Sequence, residues 1–443
     1  MKVALYTLGC KVNQYESNVI EDEFRNNGYE VVDFSSYADA YIINTCTVTA
    51  MGDKKSRQIL RRAKQINPNS IVCAIGCYAQ VAKEELEKID EIDIVLGTIE
   101  KAKTFEIVDE YIKNKSNTKI VLSENIMKLM PYCEYNGVAY TKHVRAEIKI
   151  QDGCDRFCSY CIIPYARGPV RSRLPEDIKR EVLLLVAKGI KEIVLTGIHI
   201  SSYGKDFKDN KNSDEPYDFK YGLIDLLEEL NEIEGVERIR LGSLEPRIIT
   251  NNFISRLTKL NKICNHFHLS LQSGCNDTLA RMNRKYSTEE FIKIVELIRK
   301  NIPEVALTTD VIVGFPGETN EEFNHTVEFL KEIKFSKMHV FKYSKRRGTP
   351  ASLMPNQVPE DIKEQRSNIL IEMSSQNENE FASQYIGKEV EVLFENNHEG
   401  HTTNYIKVEL ENNKEDYINR IVKVIPTKYE VDHLKIWFFW INQ

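Results

Sequence analysis

Three things are scarce in this 443-residue chain. No apolar run approaches the roughly 18 residues that a bilayer span requires, so a helical membrane protein is excluded. The opening stretch MKVALYTLGCKVNQ turns polar too early for a secretory leader, and the expectation is a cytoplasmic protein with no membrane partner. Positive charge is not in surplus: 60 Lys and Arg stand against 66 Asp and Glu, a net charge of −6. The overall field therefore does not advertise a nucleic-acid partner, and any such reading must rest on local patches. There is no internal repeat and no low-complexity linker, which argues against solenoids and arrays.

What is present is ordinary in bulk, with 42% hydrophobic and 28% charged residues, as in soluble globular proteins. The length exceeds what one core usually serves, so two or three domains are expected. Ten cysteines are the unusual feature. In a reducing compartment they are read as metal or catalytic residues rather than disulfides.

The fold class read from the pattern is α/β. The first part alternates strands and helices: KVALYTLGC is a strand ending at Cys10, and ESNVIEDEFRNNGYEVV is an amphipathic helix with Val19, Ile20 and Phe24 on one face, stopped by Gly28. AYIINTC and SIVCAIGC are β-branched, near-continuous apolar strands of the kind buried on both faces of a parallel sheet, ending at Cys46 and Cys77. Open α/β sheets build their sites at the carboxyl ends of strands, so Cys10, Cys46 and Cys77 are expected to converge.

A second βα series runs from about 145 to 350, with strands at AEIKIQ, KEIVLTGIHI, ERIRLGS, HFHLSLQS, VALTTDVIVGF and KMHVFKYS. Six units suggest a partial (β/α) barrel of the TIM-like kind. Gly197, Ser243, Gln272, Asp310 and Tyr343 fall at or near strand ends on its catalytic face. A polar helical stretch from about 357 to 386 reads as a connector. The remaining alternating strands, split by Asn and Gly turns, read as a small OB-like β-barrel. The domains are placed at 1–115, 140–370 and 376–443.

The stretch GCDRFCSYCIIPYARG sets Cys154, Cys158 and Cys161 at a C-x3-C-x2-C spacing and supplies no fourth cysteine. Structural zinc, the rival reading, wants four closed ligands, and no nearby His or Cys completes the set. A four-iron cluster with three thiolates keeps one iron open, and an open position is what chemistry needs. Cys10, Cys46 and Cys77 repeat the three-ligand pattern. Cys73 is read as core, and Cys133, Cys264 and Cys275 as structural.

The cysteine triplet, with the aromatic Tyr160 before its last member, resembles the radical S-adenosylmethionine superfamily. The resemblance implies that the open iron chelates S-adenosylmethionine and that the cofactor is cleaved reductively to a 5′-deoxyadenosyl radical. Over essentially the whole chain the blocks TLGCKVNQYES, NTCTVT, IQDGCDRFCSYCIIPYARG, HLSLQSGCNDTLARMNRKY, TTDVIVGFPGET, YSKRRGTPAS and GHTTNYIKV resemble the methylthiotransferase family. That family has a flavodoxin-like amino-terminal domain, a radical SAM partial barrel and a carboxy-terminal TRAM β-barrel. It implies two [4Fe-4S] clusters: a radical-generating one on Cys154, Cys158 and Cys161, and a sulfur-inserting one on Cys10, Cys46 and Cys77. S-adenosylmethionine then serves as both methyl donor and radical source.

GCKVNQYES and CSYCIIPYARG are most similar to the branch that methylthiolates C2 of N6-threonylcarbamoyladenosine at position 37 of tRNA. The isopentenyladenosine branch is the alternative, and a branch acting on a ribosomal-protein aspartate is a third. The implied partners are the tRNA anticodon stem-loop, an electron donor such as flavodoxin or ferredoxin, and a sulfur source. The same cysteines also leave open an RNA-binding protein whose two clusters serve redox sensing or structure, and a zinc-stabilised structural scaffold.

Tyr160, Thr196, Gly197, Ser243, Glu245, Gln272 and Asp310 are the expected S-adenosylmethionine contacts, although glycine and serine turns at strand ends are also simply turns. His199, His266 and His268 read as core or surface histidines. For tRNA, DKKSRQILRRAK gathers six positive charges on one helix, and ARGPVRSR and KYSKRRG place more near the barrel mouth. From residue 376 onward, seven Lys and Arg face twelve Asp and Glu, so the last domain is expected to recognise RNA by shape and hydrogen bonding through HTTNYIK rather than by neutralising phosphate.

Overall fold

The computed structural model describes residues 1–116, 118–128, 130–136, 138, 144–208, 217–411, 416–430 and 432–436. The amino-terminal region is a parallel six-stranded sheet of β1 (Lys2–Thr7), β2 (Glu30–Val32), β3 (Ala40–Thr45), β4 (Ile71–Gly76), β5 (Ile94–Leu96) and β6 (Ile120–Leu122). Its order, β2-β1-β3-β4-β5-β6, is flavodoxin-like. Alternate residues of β3 explain the near-continuous apolar pattern: Tyr41 and Ile43 pack into one helical layer, and Ile42 into the other. The first helix spans Lys11–Asn26, five residues earlier than the sequence pattern indicates. Cys10 occupies its N-cap position, and Val12 and Tyr15 extend the buried face ahead of Val19, Ile20 and Phe24.

The middle region contains all six expected parallel strands: β7 (Arg145–Asp152), β9 (Glu192–Gly197), β10 (Arg238–Leu241), β11 (His266–His268), β12 (Ala306–Val313) and β13 (Lys337–Lys342), with a short antiparallel β8 (Arg171–Ser172) on the β7 edge. Single parallel bridges at Ile239–Ile263 and Leu244–Leu269 connect β10 to the β11 segment, so the two sheets form one curved wall. The helix Glu360–Ser383 is more than a connector. It packs along β13, where Ser374 Oγ accepts from the Met338 N–H at 2.8 Å, and it carries Glu378, Phe381 and Ala382 to the cavity described below.

The last region holds β14 (Val390–Phe394), β15 (Glu399–Thr402), β16 (Lys407–Leu410), β17 (Ile421–Val424), β18 (Lys428–Glu430) and β19 (His433–Ile436) in the order β17-β14-β15-β16-β19-β18. Six flat strands would hold the outer two about 24 Å apart. The chain passes from β17 to β18 through residues 425–427 only, and that step spans at most about 14 Å. The sheet must therefore roll up, around a core of Val392, Phe394, Val408 and Leu434. The terminal WFFW of the last expected strand lies outside the described residues. No helix among the described residues is long and apolar enough to cross a membrane.

Candidate functional site

β1, β3 and β4 are neighbours in the first sheet, so their carboxyl ends bring Cys10, Cys46 and Cys77 to one edge. Gly9 is what permits the approach. Its φ is +103°, and a Cβ there would lie 2.9 Å from both Cβ and Sγ of Cys46. Burial, then the nearby Cys77 and Cys10, push the Cys46 thiol up to about 11.

Cys154, Cys158 and Cys161 lie in the loop after β7. Gly153 starts that loop at φ +74°, where a Cβ would be 1.8 Å from the Pro169 carbonyl oxygen, and the Cys161 N–H donates to the Cys158 carbonyl at 2.9 Å. Burial pushes the Cys154 and Cys161 thiols up to about 12. Protein alone thus keeps these groups protonated at neutral pH, and a bound cation is what makes such thiols into thiolate ligands. Tetrahedral zinc at its usual bond length would set its sulfurs about 3.8 Å apart. Among the described residues neither trio gathers its three sulfurs within 4.8 Å. Cys275, Asp277 and Glu322 do come that close, but Arg281 already holds Glu322 at 2.9 Å.

One cavity of about 670 Å³ is lined by members of both trios, while Cys46, Cys77 and Cys158 lie off its surface. Cys10 lines it from the first region, Cys154 and Cys161 from the second, and His401 and Tyr405 from the third. Of the expected cofactor contacts, Thr196, Gly197, Ser243 and Asp310 line it. Tyr160, Glu245 and Gln272 do not. Tyr160 packs beside Met282, Phe315 and Tyr343. Gln272 bridges to β12, donating its N–H to the Asp310 carbonyl at 2.9 Å with φ +73°. Glu245 sits behind the wall with Arg284 at 2.9 Å, Arg156 at 3.3 Å and His199 at 3.7 Å. Burial would raise its pKa, but the His199 hydrogen bond and the two arginine charges outweigh this and hold it down at about 2.

The cavity also contains residues that the sequence pattern did not single out. His266 and His268, read as core or surface, line it together with Lys11, Arg240 and His339. His268 is 3.3 Å from Asp310. Tyr405 and His401, both in the HTTNYIK stretch expected to recognise RNA, are stacked with ring centroids 4.8 Å apart, and the Arg240 guanidinium lies 4.6 Å from the Tyr405 centroid. A histidine's sequence neighbours carry no signal of which cavity it will line.

The basic segments divide. ARGPVRSR does not form a surface patch: Arg167, Arg171 and Arg173 are 0%, 4% and 5% exposed. Arg173 is bonded to Glu181 and Glu134. Arg167 reaches Glu16 at 2.9 Å and Asp152 at 3.0 Å, and Lys149 and Lys101 also bind Glu16. Burial opposes ionisation of Glu16, yet Arg167, Lys101 and Lys149 hold its carboxyl well below the usual range. In KYSKRRG, Arg346 is turned inward to Asp53 at 2.7 Å, while Lys345 and Arg347 are exposed. On the helix Ala50–Ile66, Arg57, Arg61 and Lys64 pair with carboxylates of their own region, and Lys54, Lys55 and Arg62 are exposed.

A parallel half-barrel with three cysteines in its first loop, beside a flavodoxin-like sheet carrying three more, defines the class: an α/β protein of radical SAM architecture with two metal centres' worth of thiols. Residues 148–330 match the model of the radical SAM superfamily, and residues 2–97 that of the uncharacterized protein family UPF0004. Among solved structures, the radical S-adenosylmethionine methyltransferase TsrM from Kitasatospora setae aligns with a TM-score of 0.56 at 16% identity, covering 80% of this chain and 77% of that one. The threonylcarbamoyladenosine tRNA methylthiotransferase MtaB of Bacillus subtilis is 47% identical over 95% of this chain and 93% of its own, and that of Aquifex aeolicus 43% identical over 96% and 100%. The tRNA-2-methylthio-N(6)-dimethylallyladenosine synthase of Clostridium tetani is 37% identical over 95% and 93%. The chain belongs to the methylthiotransferase family of radical SAM proteins.

Proposed function

We propose that this protein methylthiolates C2 of N6-threonylcarbamoyladenosine at position 37 of tRNA, using two [4Fe-4S] clusters and S-adenosylmethionine. The observation that supports the reading is the shared cavity, lined by Cys10 of one trio and by Cys154 and Cys161 of the other. C2 of adenine has no acidic proton and no leaving group, so acid–base or nucleophilic chemistry has little purchase there. When bound, the clusters and S-adenosylmethionine would supply the carbon radical, the sulfur and the methyl group.

The chain's own residues bind, orient and exclude water. Cys154, Cys158 and Cys161 hold the barrel cluster, and Cys10, Cys46 and Cys77 the amino-terminal one. Thr196, Gly197, Ser243 and Asp310 form the wall beside Cys154 and Cys161, where a cofactor on that cluster would lie. Glu245 braces that wall from behind: its backbone N–H donates to Ser201 at 2.9 Å, and its carboxylate fixes Arg156 and Arg284. Tyr405 and His401, with Arg240 alongside, offer an aromatic and cationic platform suited to a splayed-out base of single-stranded RNA. The three regions line the site together, and bound tRNA over its open side would complete the shielding a reactive radical needs.

The threonylcarbamoyl reading is favoured over the dimethylallyl one by identities of 47% and 43% against 37%. An electron donor such as flavodoxin or ferredoxin, a sulfur source and a cytoplasmic setting complete the proposal. The test is nucleoside mass spectrometry of tRNA from cells lacking this class of enzyme, with and without the gene supplied. The 2-methylthio derivative of N6-threonylcarbamoyladenosine is expected. A methylthio group on isopentenyladenosine instead would overturn the substrate, and unchanged tRNA would overturn the reaction.

A further inference from the structure

Arg167 follows the barrel's cysteine motif by six residues, yet its side chain serves the other trio. Its Nε–H donates to Cys77 Sγ at 3.2 Å. Both terminal nitrogens are committed elsewhere: Nη1 to Glu16 at 2.9 Å and Asp152 at 3.0 Å, Nη2 to Asn13 at 2.6 Å and Glu16 at 3.1 Å. With the guanidinium plane held at four points and the side chain fully buried, Nε can point only at the sulfur. A lysine could not reproduce that fork.

The surroundings carry a charge imbalance. Lys101, Lys149, Arg167 and Arg171 are four cations around two anions, Glu16 and Asp152. An anionic cluster with three thiolates supplies what this network is short of. The barrel trio is treated differently: Arg284 approaches Cys158 Sγ at 3.5 Å and shares its charge with Glu245.

We propose that Arg167 is a positioning residue for the amino-terminal cluster, its N–H on the Cys77 sulfur fixing that ligand and raising the cluster's reduction potential, an inference that rests on Cys10, Cys46 and Cys77 holding a cluster. Hydrogen bonds to cluster sulfurs draw charge from the iron and favour the reduced, more negative state. Low exposure strengthens the effect, because no solvent screens it. Because Arg167 comes from the barrel, docking of the two regions and the potential of the amino-terminal cluster are set by one side chain.

The experiment uses the full chain with Cys154, Cys158 and Cys161 all changed to Ala, so that only the amino-terminal cluster can assemble. Iron analysis comes first; a protein that reconstitutes no cluster would defeat the three-cysteine reading and this inference with it. With the cluster present, proton ENDOR in H2O and D2O should reveal an exchangeable coupling, and its absence overturns the proposal without any change at Arg167. Arg167→Lys should then lower the EPR-monitored midpoint potential and remove that coupling. Arg173→Lys, at a buried arginine bonded to Glu181 and Glu134 and to none of the six cysteines, should change neither. An unchanged midpoint in Arg167→Lys, or an equal drop in Arg173→Lys, would overturn the assignment.

Discussion

Changing Gly9 to Ala perturbs the amino-terminal centre while leaving every ligand in place. At φ +103° an L-residue costs about 1–3 kcal/mol. The new methyl would also lie 2.9 Å from Cys46 Cβ and Sγ and 3.3 Å from Asn13 Nδ2. The loop cannot yield freely, because that same Asn13 amide donates to the Leu8 carbonyl at 2.7 Å and the Thr45 carbonyl at 3.1 Å, tying β1 to β3. Losing one of these bonds costs about 1 kcal/mol. The local penalty is then about 3 kcal/mol, or roughly a hundredfold in retention of a cluster by the site. After anaerobic reconstitution and a chelator challenge, iron should fall from about eight to about four per chain. Release of 5′-deoxyadenosine should persist while methylthiolated nucleoside disappears. Gly153→Ala is the mirror experiment, since its Cβ would meet the Pro169 carbonyl oxygen at 1.8 Å; it should remove the barrel cluster and with it S-adenosylmethionine cleavage. A Gly9→Ala protein with full iron and normal product would refute the argument, as would equal loss of cofactor cleavage in both variants.

Ligand removal should divide the same way: Cys161→Ala abolishes 5′-deoxyadenosine release, whereas Cys46→Ala spares it and loses sulfur insertion, with product analysis by mass spectrometry as the check. Tyr405→Ala should weaken binding of an anticodon stem-loop by about 1–3 kcal/mol, the range for a stacked base, in a fluorescence titration; unchanged affinity would remove the platform reading. Glu23 is 5% exposed, and its pKa is raised to about 7 by burial and then by the neighbouring Glu106 carboxylate. The folded protein therefore binds the extra proton, so stability should fall as pH rises from about 4.5 through about 7. Glu23→Gln should raise the melting temperature at pH 8 by relieving at most about 3 kcal/mol and flatten that part of the profile. A variant less stable at pH 8 than the parent would contradict this.

Much of the architecture can be read locally. Each of the six barrel strands carries its own apolar run, and β3 and β4 announce burial on both faces through residues such as Ile42 and Ile43. The C-x3-C-x2-C loop is contiguous, so its chemistry is written in eight residues. Cys10, Cys46 and Cys77 are spread along the chain, but each ends an apolar strand, and parallel sheets with that pattern expose their strand ends along one edge.

Other features depend on partners distant in sequence. ARGPVRSR looks like a solvated basic patch because the segment contains no acidic residue of its own, yet Arg167 is bonded to Glu16, 151 residues away, and is fully buried. His266 and His268 alternate like any strand residues. Only the curvature of the half-barrel and the helix Glu360–Ser383 packed along β13 turn them toward a cavity that the last region helps to line. Periodicity and motif spacing are local quantities, and they determined the strands, the cysteine ends and the chemistry those cysteines can carry. Which buried charge neutralises which, and which faces enclose the site, depend on contacts between regions separated by more than a hundred residues, and these exist only once the chain has folded.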